Sequence, residues 1–200
     1  MNQDFYGDSI IKLEAVITEI IARVDVIRKY KKINNARDPI EYVKSRIKTE
    51  NSIKEKLKRK GLEVNLENAL TKIYDAAGIR IVCTFVDDVY DIVQIIKKYD
   101  DIEIIKEKDY IKNPKENGYR SYHLVIKMPL NIVGEISRIY LEIQIRTIAM
   151  DFWSSLEHEM KYKKNIQNQQ MIEDELKKCA DQIATTDINM LAIRNMINKE

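Results

Sequence analysis

The sequence predicts a single α/β domain in which a mixed sheet of four to five strands is flanked by helices, with long helices at both ends. Three observations predict it. Apolar residues recur at helical spacing near both ends of the chain, the middle contains runs that alternate or are rich in branched residues, and one helical pattern interrupts those runs. Helices, then strands around one helix, then helices again is the order of an α/β core with helical arms.

The first helix is predicted over residues 9–31. Its apolar residues recur at alternating steps of three and four, namely Ile10, Leu13, Ile17, Ile20, Val24 and Ile27. Asp8 or Ser9 can cap its start, and a break follows at residues 34–39. The pattern lasts only about three heptads, which favours packing within the domain over a coiled coil.

Residues 40–60 are predicted to form a turn and then a helix that ends at Gly61. Residues 44–60 contain eight basic side chains against two acidic ones, Glu50 and Glu55; the basic residues are Lys44, Arg46, Lys48, Lys54, Lys56, Lys58, Arg59 and Lys60. Four residues at steps of four, four and three share one helix face: Lys48, Ser52, Lys56 and Arg59. Two interpretations stay open, a solvated lysine face and a site for a phosphate ligand.

An apolar run over residues 79–86 predicts a central strand. Asp75 stands at its leading edge and Arg80 lies within it. Because a charged side chain in a central strand is uncommon unless it is paired, Arg80 is expected to have a partner or a ligand. A helix follows, with Asp87 and Asp88 as caps and apolar residues at helical spacing from Val89 to Ile96.

A second strand is predicted over residues 102–106, and a polar loop with the sequence KEKDYIKNPKENGYRSYH follows it. Its tyrosines alternate with basic residues: Tyr110, Tyr119 and Tyr122 with Lys108, Lys112, Lys115 and Arg120. Polar loops are common and mostly inert, but planar rings beside cations are what a nucleotide site requires, and base stacking is worth about 1 to 3 kcal/mol.

Two further strands are predicted over residues 122–128 and 139–146, joined by a turn at Asn131 and Gly134. The last strand alternates strictly, so Glu142, Gln144 and Arg146 share its open face, which is often no more than solvated surface. Thr147 can cap a helix that continues to about residue 164. The final helix is predicted over residues 166–197.

Composition limits the class of protein. The 200 residues include 34 basic and 32 acidic side chains, and this near-neutral balance gives no indication of RNA binding. The chain has neither an apolar run of the roughly 20 residues that a membrane span needs nor a signal-peptide pattern, so a cytoplasmic location is expected. Cys83 and Cys179 have no spacing typical of a zinc site or a disulfide framework, and Cys83 is expected in the core.

Four segments in the same order resemble the synthetase domain of the RelA/SpoT family, and the length and ends resemble the stand-alone small alarmone synthetases. The segments are RIKTENSIKEKLKRKG, DAAGIRIVCTFVDD, KDYIKNPKENGYRSYHLVI and LEIQIRTIAMDFWSSLEHEMKYK. The resemblance implies a nucleotidyltransferase-like synthetase core at about residues 40–164, with helical arms at 9–33 and 166–198. The resemblance is close in the sequence of the core, whereas the arms resemble the family in being helical and not in their sequence.

The resemblance also implies a reaction in which the β,γ-pyrophosphate of ATP moves to the 3′-hydroxyl of GDP or GTP, giving AMP and guanosine tetra- or pentaphosphate. Asp75 and Glu142 would then hold Mg²⁺, and Glu142 is the candidate general base. Residues implied to bind ATP are Arg46 and Arg80 beside the adenine, with Lys48, Ser52, Lys56 and Arg59 on the phosphates. Residues implied to bind the guanosine nucleotide are Tyr119, stacked on the base, and Lys115, Arg120 and His123, with Gln144 and Arg146 supporting the site.

The chain departs from the family in three places. Residues 106–109 read KEKD where longer members carry an RxKD or ExDD signature, so the choice between GDP and GTP does not follow from them. Asp151 stands where some small synthetases place an asparagine that reads the guanine edge. Neither histidine precedes an aspartate and no room remains for a hydrolase domain, so synthesis without hydrolysis is expected.

Two alternative functions stay open, and an oligomeric state is predicted. A catalytically inactive nucleotide- or RNA-binding module of the same fold is the main alternative, with RNA gripped by the basic residues 44–60. A different nucleotidyltransferase-like enzyme, which would release pyrophosphate, is the other. Apolar seams on the helical arms and the family resemblance predict a homotetramer.

Overall fold

The computed structural model describes residues 3–35, 37–161 and 168–198, which form seven helices and five strands. In chain order they are α1 (Gln3–Tyr6), α2 (Ser9–Asn35), β1 (Ile40–Ile47), α3 (Glu50–Arg59), α4 (Leu66–Thr71), β2 (Ala77–Cys83), α5 (Val86–Ile96), β3 (Glu103–Asp109), β4 (Tyr122–Ile132), β5 (Glu135–Thr147), α6 (Ile148–Lys161) and α7 (Gln169–Ile197).

The five strands form one mixed sheet in the order β1-β2-β5-β4-β3. β2 and β5 are parallel neighbours, whereas the other three pairs are antiparallel. The register places Gly78 beside Glu142 and Arg80 beside Gln144. The predicted mixed α/β sheet, with long helices at both ends, is therefore confirmed.

The core lies between one face of the sheet and the helices α2 and α5. Alternate residues of the central strands are buried there, including Ile79, Ile81, Leu141, Ile143 and Ile145. They join the apolar stripes of both helices in one cluster. Because side chains alternate along a strand, residues 80, 142, 144 and 146 face the opposite side of the sheet.

The prediction for residues 40–47 is wrong: they form the edge strand β1 and not a turn and helix. An edge strand is half solvated, so its charged residues hide the alternation by which strands are recognised. Lys48 consequently precedes α3, whose N-cap is Thr49, and lies outside the helix that Ser52, Lys56 and Arg59 share. Gly61 does end this helix region, with a φ of +67°.

Other boundaries differ less. The helix α4 has no counterpart in the prediction, β3 extends to Asp109, and the β4–β5 hairpin reaches its turn through Ile132 and Glu135. The N-cap of α5 is Phe85, and the backbone nitrogen of Phe85 donates a hydrogen bond to the Asp88 carboxylate at 3.2 Å. The predicted junction of the last two helices falls on residues 162–167, outside the described residues. Within the described chain, none of the helices combines the length and apolar character needed to cross a bilayer.

Candidate active site

The two predicted carboxylates meet where β2 and β5 run side by side. Asp75 lies just before β2, and Glu142 pairs with Gly78 of that strand, so the parallel register brings both to one end of the sheet. Both line the same two cavities. The sheet therefore joins residues that are distant in the sequence into one site.

The first cavity, here called the β1 cavity, has a volume of about 190 Å³. Its walls come from β1, β2 and β5 together with Asp75. The lining residues are Lys44, Ser45, Arg46, Asp75, Gly78, Ile79, Arg80, Glu142 and Gln144. Arg46 and Arg80 are thus brought together on one side of the carboxylates.

The second cavity, here called the loop cavity, has a volume of about 280 Å³ and lies beside the β3–β4 loop. Five lysines and one histidine surround the two carboxylates. The lining residues are Lys56, Lys60, Tyr74, Asp75, Lys106, Lys108, Tyr110, Lys115, His123, Val125 and Glu142. A concave wall with this excess of positive charge attracts phosphate groups.

Asp75 is held by two lysines through one of its oxygens. Its Oδ2 lies 2.5 Å from Lys56 Nζ and 3.1 Å from Lys48 Nζ. Its Oδ1 is buried and has no hydrogen-bond partner among the described residues. Because a buried polar atom without a partner is costly, this oxygen is suited to a ligand that the protein itself does not supply.

Glu142 is ionised at neutral pH. Burial favours its neutral form, but the interaction with His123, the hydrogen bond from Gln144 and the charge of Lys56 outweigh burial and lower its pKa to about 2. The Nε2 of Gln144 donates to Glu142 Oε2 at 2.9 Å, and His123 Nδ1 lies 3.6 Å from Oε1.

These contacts belong to a closed ring of five side chains that connects Glu142 with Tyr119. Arg146 donates to Gln144 Oε1 at 2.8 Å and to Tyr119 Oη at 2.9 Å. Tyr119 Oη lies 2.8 Å from His123 Nε2, and His123 returns to Glu142. Arg146 is 1% exposed, and burial lowers the pKa of its guanidinium. Gln144, Arg146, His123 and Tyr119 are therefore brought together around Glu142.

The two carboxylates fit Mg²⁺. This ion prefers oxygen ligands and is commonly bound by one or two carboxylates plus substrate phosphates and water. Asp75 Oδ1 and the Glu142 carboxylate offer such ligands. The described residues contain no group of three or more His, Cys, Asp or Glu side chains arranged to hold a metal ion.

Arg80 has the partner that its place in a strand required. Asp151, on α6, accepts from Arg80 Nη1 at 3.1 Å and from Arg146 Nη1 at 3.4 Å, and Tyr42 of β1 donates to its other oxygen. Asp151 is 4% exposed and lies outside the described lining of the loop cavity. It fixes two arginines, and its predicted contact with guanine stays a prediction.

Three other predicted residues lie further from the carboxylates. Ser52 and Arg59 are exposed on α3 and lie outside the described linings of both cavities; the Ser52 hydroxyl is 2.9 Å from that of Thr49. Arg120 contacts α7, donating to Ala180 O at 3.3 Å and to Asp181 Oδ1 at 2.9 Å. The roles of all three in nucleotide binding stay predictions.

The ring of Tyr119 lies outside the described linings of both cavities and is contacted by two cations, Lys115 and Arg146. The Lys115 ammonium lies 4.6 Å from the centre of the Tyr119 ring and 4.9 Å from that of Tyr110. The Arg146 guanidinium lies 5.4 Å from the centre of the same ring, so a base that stacks there would replace the Lys115 ammonium or share the ring with Arg146. The stacking assignment stays a prediction.

Sequence reasoning did not assign several lining residues, among them Tyr74, Lys60, Lys106, Lys108 and Tyr110. Two signals were present: Lys60 belongs to the basic segment, and Lys108 and Tyr110 belong to the tyrosine-rich loop. Tyr42, the partner of Asp151, had none, because its place depends on β1 being a strand.

Comparison with known proteins agrees with this geometry. Residues 45–167 match the family model described as a region found in RelA/SpoT proteins. The chain is 43% identical to GTP pyrophosphokinase YwaC of Bacillus subtilis (strain 168) over 88% of this chain and 84% of the relative.

Two solved structures are similar throughout. Small alarmone synthetase 2 from Bacillus subtilis has a TM-score of 0.84 and 41% identity, covering 94% of this chain and 98% of that one. Small alarmone synthetase 1 from the same organism, bound to its product pppGpp, has a TM-score of 0.83 and 34% identity, covering 92% and 94%. The family match covers more than half of the chain, and its fold, carboxylates and basic cavities agree with that match: the chain belongs to the RelA/SpoT family.

Proposed function

We propose that this chain is a GTP pyrophosphokinase, which transfers the β,γ-pyrophosphate of ATP to the 3′-hydroxyl of GDP or GTP and releases AMP. The observation that carries the proposal is the pair of cavities that share Asp75 and Glu142. A transfer between two nucleotides needs two binding sites that meet at the reacting groups. The names of the relatives, GTP pyrophosphokinase and small alarmone synthetase, support the same reaction.

The β1 cavity takes ATP in this proposal. Arg46 and Arg80 flank the adenine, and Asp151 fixes the Arg80 guanidinium in the wall of the cavity. Lys48 and Lys56, which converge on Asp75, hold the phosphates at the junction of the cavities, with Ser52 and Arg59 further along α3. Cations placed around the migrating group stabilise charge that develops in the transition state.

The loop cavity takes GDP or GTP. Tyr119 stacks on the guanine, Lys115 and His123 approach the ribose and phosphates, and Gln144 and Arg146 hold the ring of contacts around Glu142. Arg120 is the weakest member of this assignment, because it is engaged by α7.

At the junction, the 3′-oxygen of the acceptor forms a bond to the β-phosphorus, while the bond from that phosphorus to the oxygen bridging to the α-phosphate breaks. AMP leaves with the bridging oxygen, and the hydroxyl proton moves to Glu142. Mg²⁺ held by Asp75 and Glu142 would neutralise the triphosphate charge. A carboxylate with a pKa of about 2 is a weak base, so its strongest contributions are orientation and charge.

The remaining expectations are proposals as well. The single sheet with its helical arms supports one synthetase domain over residues 1–200, and a cytoplasmic location and synthesis without hydrolysis are proposed with it. A homotetramer is supported by exposed apolar side chains on α2 and α7, among them Ile11, Val26, Ile33, Ile188, Ile193 and Met196. Sedimentation at working concentration tests the assembly, and a monomer would contradict it.

Release of AMP is the direct test of the reaction. Incubation with ATP, Mg²⁺ and GDP, GTP or GMP in parallel is expected to give AMP and a 3′-pyrophosphorylated guanosine nucleotide. Binding without AMP would indicate the inactive module, and release of pyrophosphate would indicate a different nucleotidyltransferase. Comparison of the three acceptors also determines the preference that residues 106–109 leave open.

A further inference from the structure

A third cavity lies outside the proposed reaction. It is here called the hairpin cavity, because it lies between the β4–β5 hairpin, the start of α2 and the segment around α4, and its volume is about 510 Å³. The lining residues are Ser9, Lys12, Leu13, Leu70, Thr71, Lys72, Ile73, Tyr74, Ala76, Lys127, Ser137, Arg138, Ile139 and Tyr140. Small-molecule sites commonly have volumes of about 300 to 1,000 Å³.

The charge of this lining is one-sided. Lys12, Lys72, Lys127 and Arg138 contribute four cations, and none of the described lining residues is a carboxylate. Two acids outside the lining each pair with one of these cations, which leaves a net excess of two positive charges. Glu103 lies 3.2 Å from Arg138, but both side chains are more than half exposed, and Glu135 lies 3.5 Å from Lys12 and is 74% exposed. Ion pairs as exposed as these are worth roughly 0 to 1 kcal/mol.

Hydrogen-bond donors face the same space. Lys12 Nζ is 3.0 Å from the Ser137 hydroxyl, which joins the first turn of α2 to the hairpin. α2 begins at Ser9 and has no acidic residue in its first turn. The positive end of the α2 dipole adds to the four cations, and the charge of Asp8, which directly precedes Ser9, offsets part of this dipole.

An aromatic wall separates the hairpin cavity from the loop cavity. The rings of Tyr74 and Tyr140 lie 4.6 Å apart at an angle of 33°, and Lys127 Nζ lies 4.9 Å from the Tyr140 ring centre. Tyr74 lines both cavities. The hairpin cavity thus adjoins the carboxylate site at Tyr74, and none of its four cations belongs to the described lining of the loop cavity.

We propose that the hairpin cavity binds a polyphosphate anion, either free or as the phosphate chain of a nucleotide. Four cations, two serine hydroxyls and a helix N-terminus match several phosphate groups, and the volume admits a ligand of that size. This site goes beyond the proposed function, because no step of the pyrophosphate transfer uses it.

The test is a calorimetric titration of the full-length chain with inorganic tripolyphosphate. The double variant Lys72→Gln/Arg138→Gln removes two cavity cations whose side chains are exposed, so the fold is expected to persist. The matched control Lys29→Gln/Lys178→Gln removes the same charge from exposed positions elsewhere on α2 and α7. The wild type and the control are expected to bind one more equivalent of tripolyphosphate than the cavity variant binds. If the stoichiometry is the same, the affinity of the wild type and the control for that equivalent is expected to be at least about tenfold higher.

Equal stoichiometry and affinity in all three proteins would overturn the proposal. A second titration with GDP distinguishes the sources of the phosphate groups. If the cavity variant binds one equivalent less of both tripolyphosphate and GDP, nucleotides occupy the site. If it binds less tripolyphosphate but the same amount of GDP, the ligand is a free polyphosphate. Because the experiment measures binding and not turnover, a negative result for the hairpin cavity can be distinguished from a failure of the protein to release AMP.

Discussion

The β1 cavity and the loop cavity are built in different ways. The walls of the β1 cavity are three adjacent strands, β1, β2 and β5, whose spacing is set by backbone hydrogen bonds. The loop cavity depends on the β3–β4 loop, where the strand pairing ends at Asp109 and Tyr122 and a few backbone hydrogen bonds follow, such as those from Tyr110 N to Ser121 O and from Lys115 N to Tyr119 O. A helix more than 50 residues further along the chain, α7, holds that loop in place.

Three contacts attach the loop and α6 to α7. Arg120 donates to Ala180 O and Asp181, and Trp153 Nε1 donates to Leu176 O at 2.9 Å. Gly118 approaches α7 so closely that a Cβ atom there would lie 2.6 Å from the Cβ of Ala180. Tyr119, the next residue, packs on the cluster of Trp153, Leu176 and Ala180. Changes in the part of α7 between Leu176 and Asp181 should therefore affect the acceptor side and leave the donor side intact.

The largest effect is expected at Glu142, which lines both the β1 cavity and the loop cavity and therefore belongs to the donor side and the acceptor side alike. Glu142→Gln keeps the size of the side chain and removes its charge, so product formation should fall by about 10³-fold or more, in line with the removal of a catalytic group. AMP release measures the effect. Unchanged circular dichroism and binding of a non-hydrolysable ATP analogue serve as controls, and undiminished turnover would exclude Glu142 from the mechanism.

The second effect should be confined to the acceptor side. Tyr119→Ala removes the ring on which guanine is proposed to stack, worth about 1 to 3 kcal/mol, so the KM for GTP should rise about 10- to 100-fold while the KM for ATP changes little.

Tyr119→Phe is the matched control for this substitution, because it keeps the ring and removes the hydroxyl that contacts His123 and Arg146. If stacking dominates, the phenylalanine variant retains most of the GTP affinity. An equal rise in KM for both nucleotides in Tyr119→Ala would refute the stacking assignment.

The third effect isolates α7. Gly118→Ala forces a Cβ against Ala180, so the loop must move, and the KM for GTP should rise about tenfold, because a misplaced binding group is costly even at about 1 Å. Gly134→Ala is the control: its φ is also +87°, but a Cβ there meets nothing within 4 Å. Both variants should lose about 1 to 2 kcal/mol of stability from the backbone conformation, and only Gly118→Ala should weaken GTP binding.

Combination with Ala180→Gly removes the clashing methyl group and should restore the KM for GTP, at the cost of about 1 kcal/mol for a glycine within a helix. The double-mutant cycle measures the coupling directly. If Gly134→Ala weakens GTP binding as much as Gly118→Ala, or if Ala180→Gly restores nothing, α7 does not position the loop.

The same division explains which features the sequence predicts. Residues such as Ile143 and Ile145 alternate so regularly that β5 and its polar face, with Glu142 and Gln144, follow from period alone. The pairing of Asp75 with Glu142 was implied by the family resemblance, whereas the central sheet was predictable from period. The edge strand β1 was not, because Lys44, Ser45 and Arg46 are exposed and conceal its alternation.

Long-range side-chain contacts could not be predicted from the sequence for a different reason. Nothing in the pattern around Arg120 indicates whether it reaches a nucleotide or Asp181, because that choice depends on where α7 packs. The same holds for Asp151, whose pairing with Arg80 and Tyr42 requires α6, β2 and β1 to be assembled first. Composition and period describe single elements, whereas these contacts depend on how the elements are arranged.

The smallest expected effect tests the donor side. Arg46→Ala removes an exposed cation from the wall of the β1 cavity, so the KM for ATP should rise a few-fold, roughly as expected for a solvated charge contact, while the KM for GTP is unchanged. Lys58→Ala removes the same charge from an exposed position on α3 outside the described lining and should leave both constants unchanged. Because β1 is fixed by its ladder with β2, the loss of one side chain cannot displace the loop. An equal rise in the KM for GTP would therefore show that the two cavities are coupled through the sheet and are not independent sites.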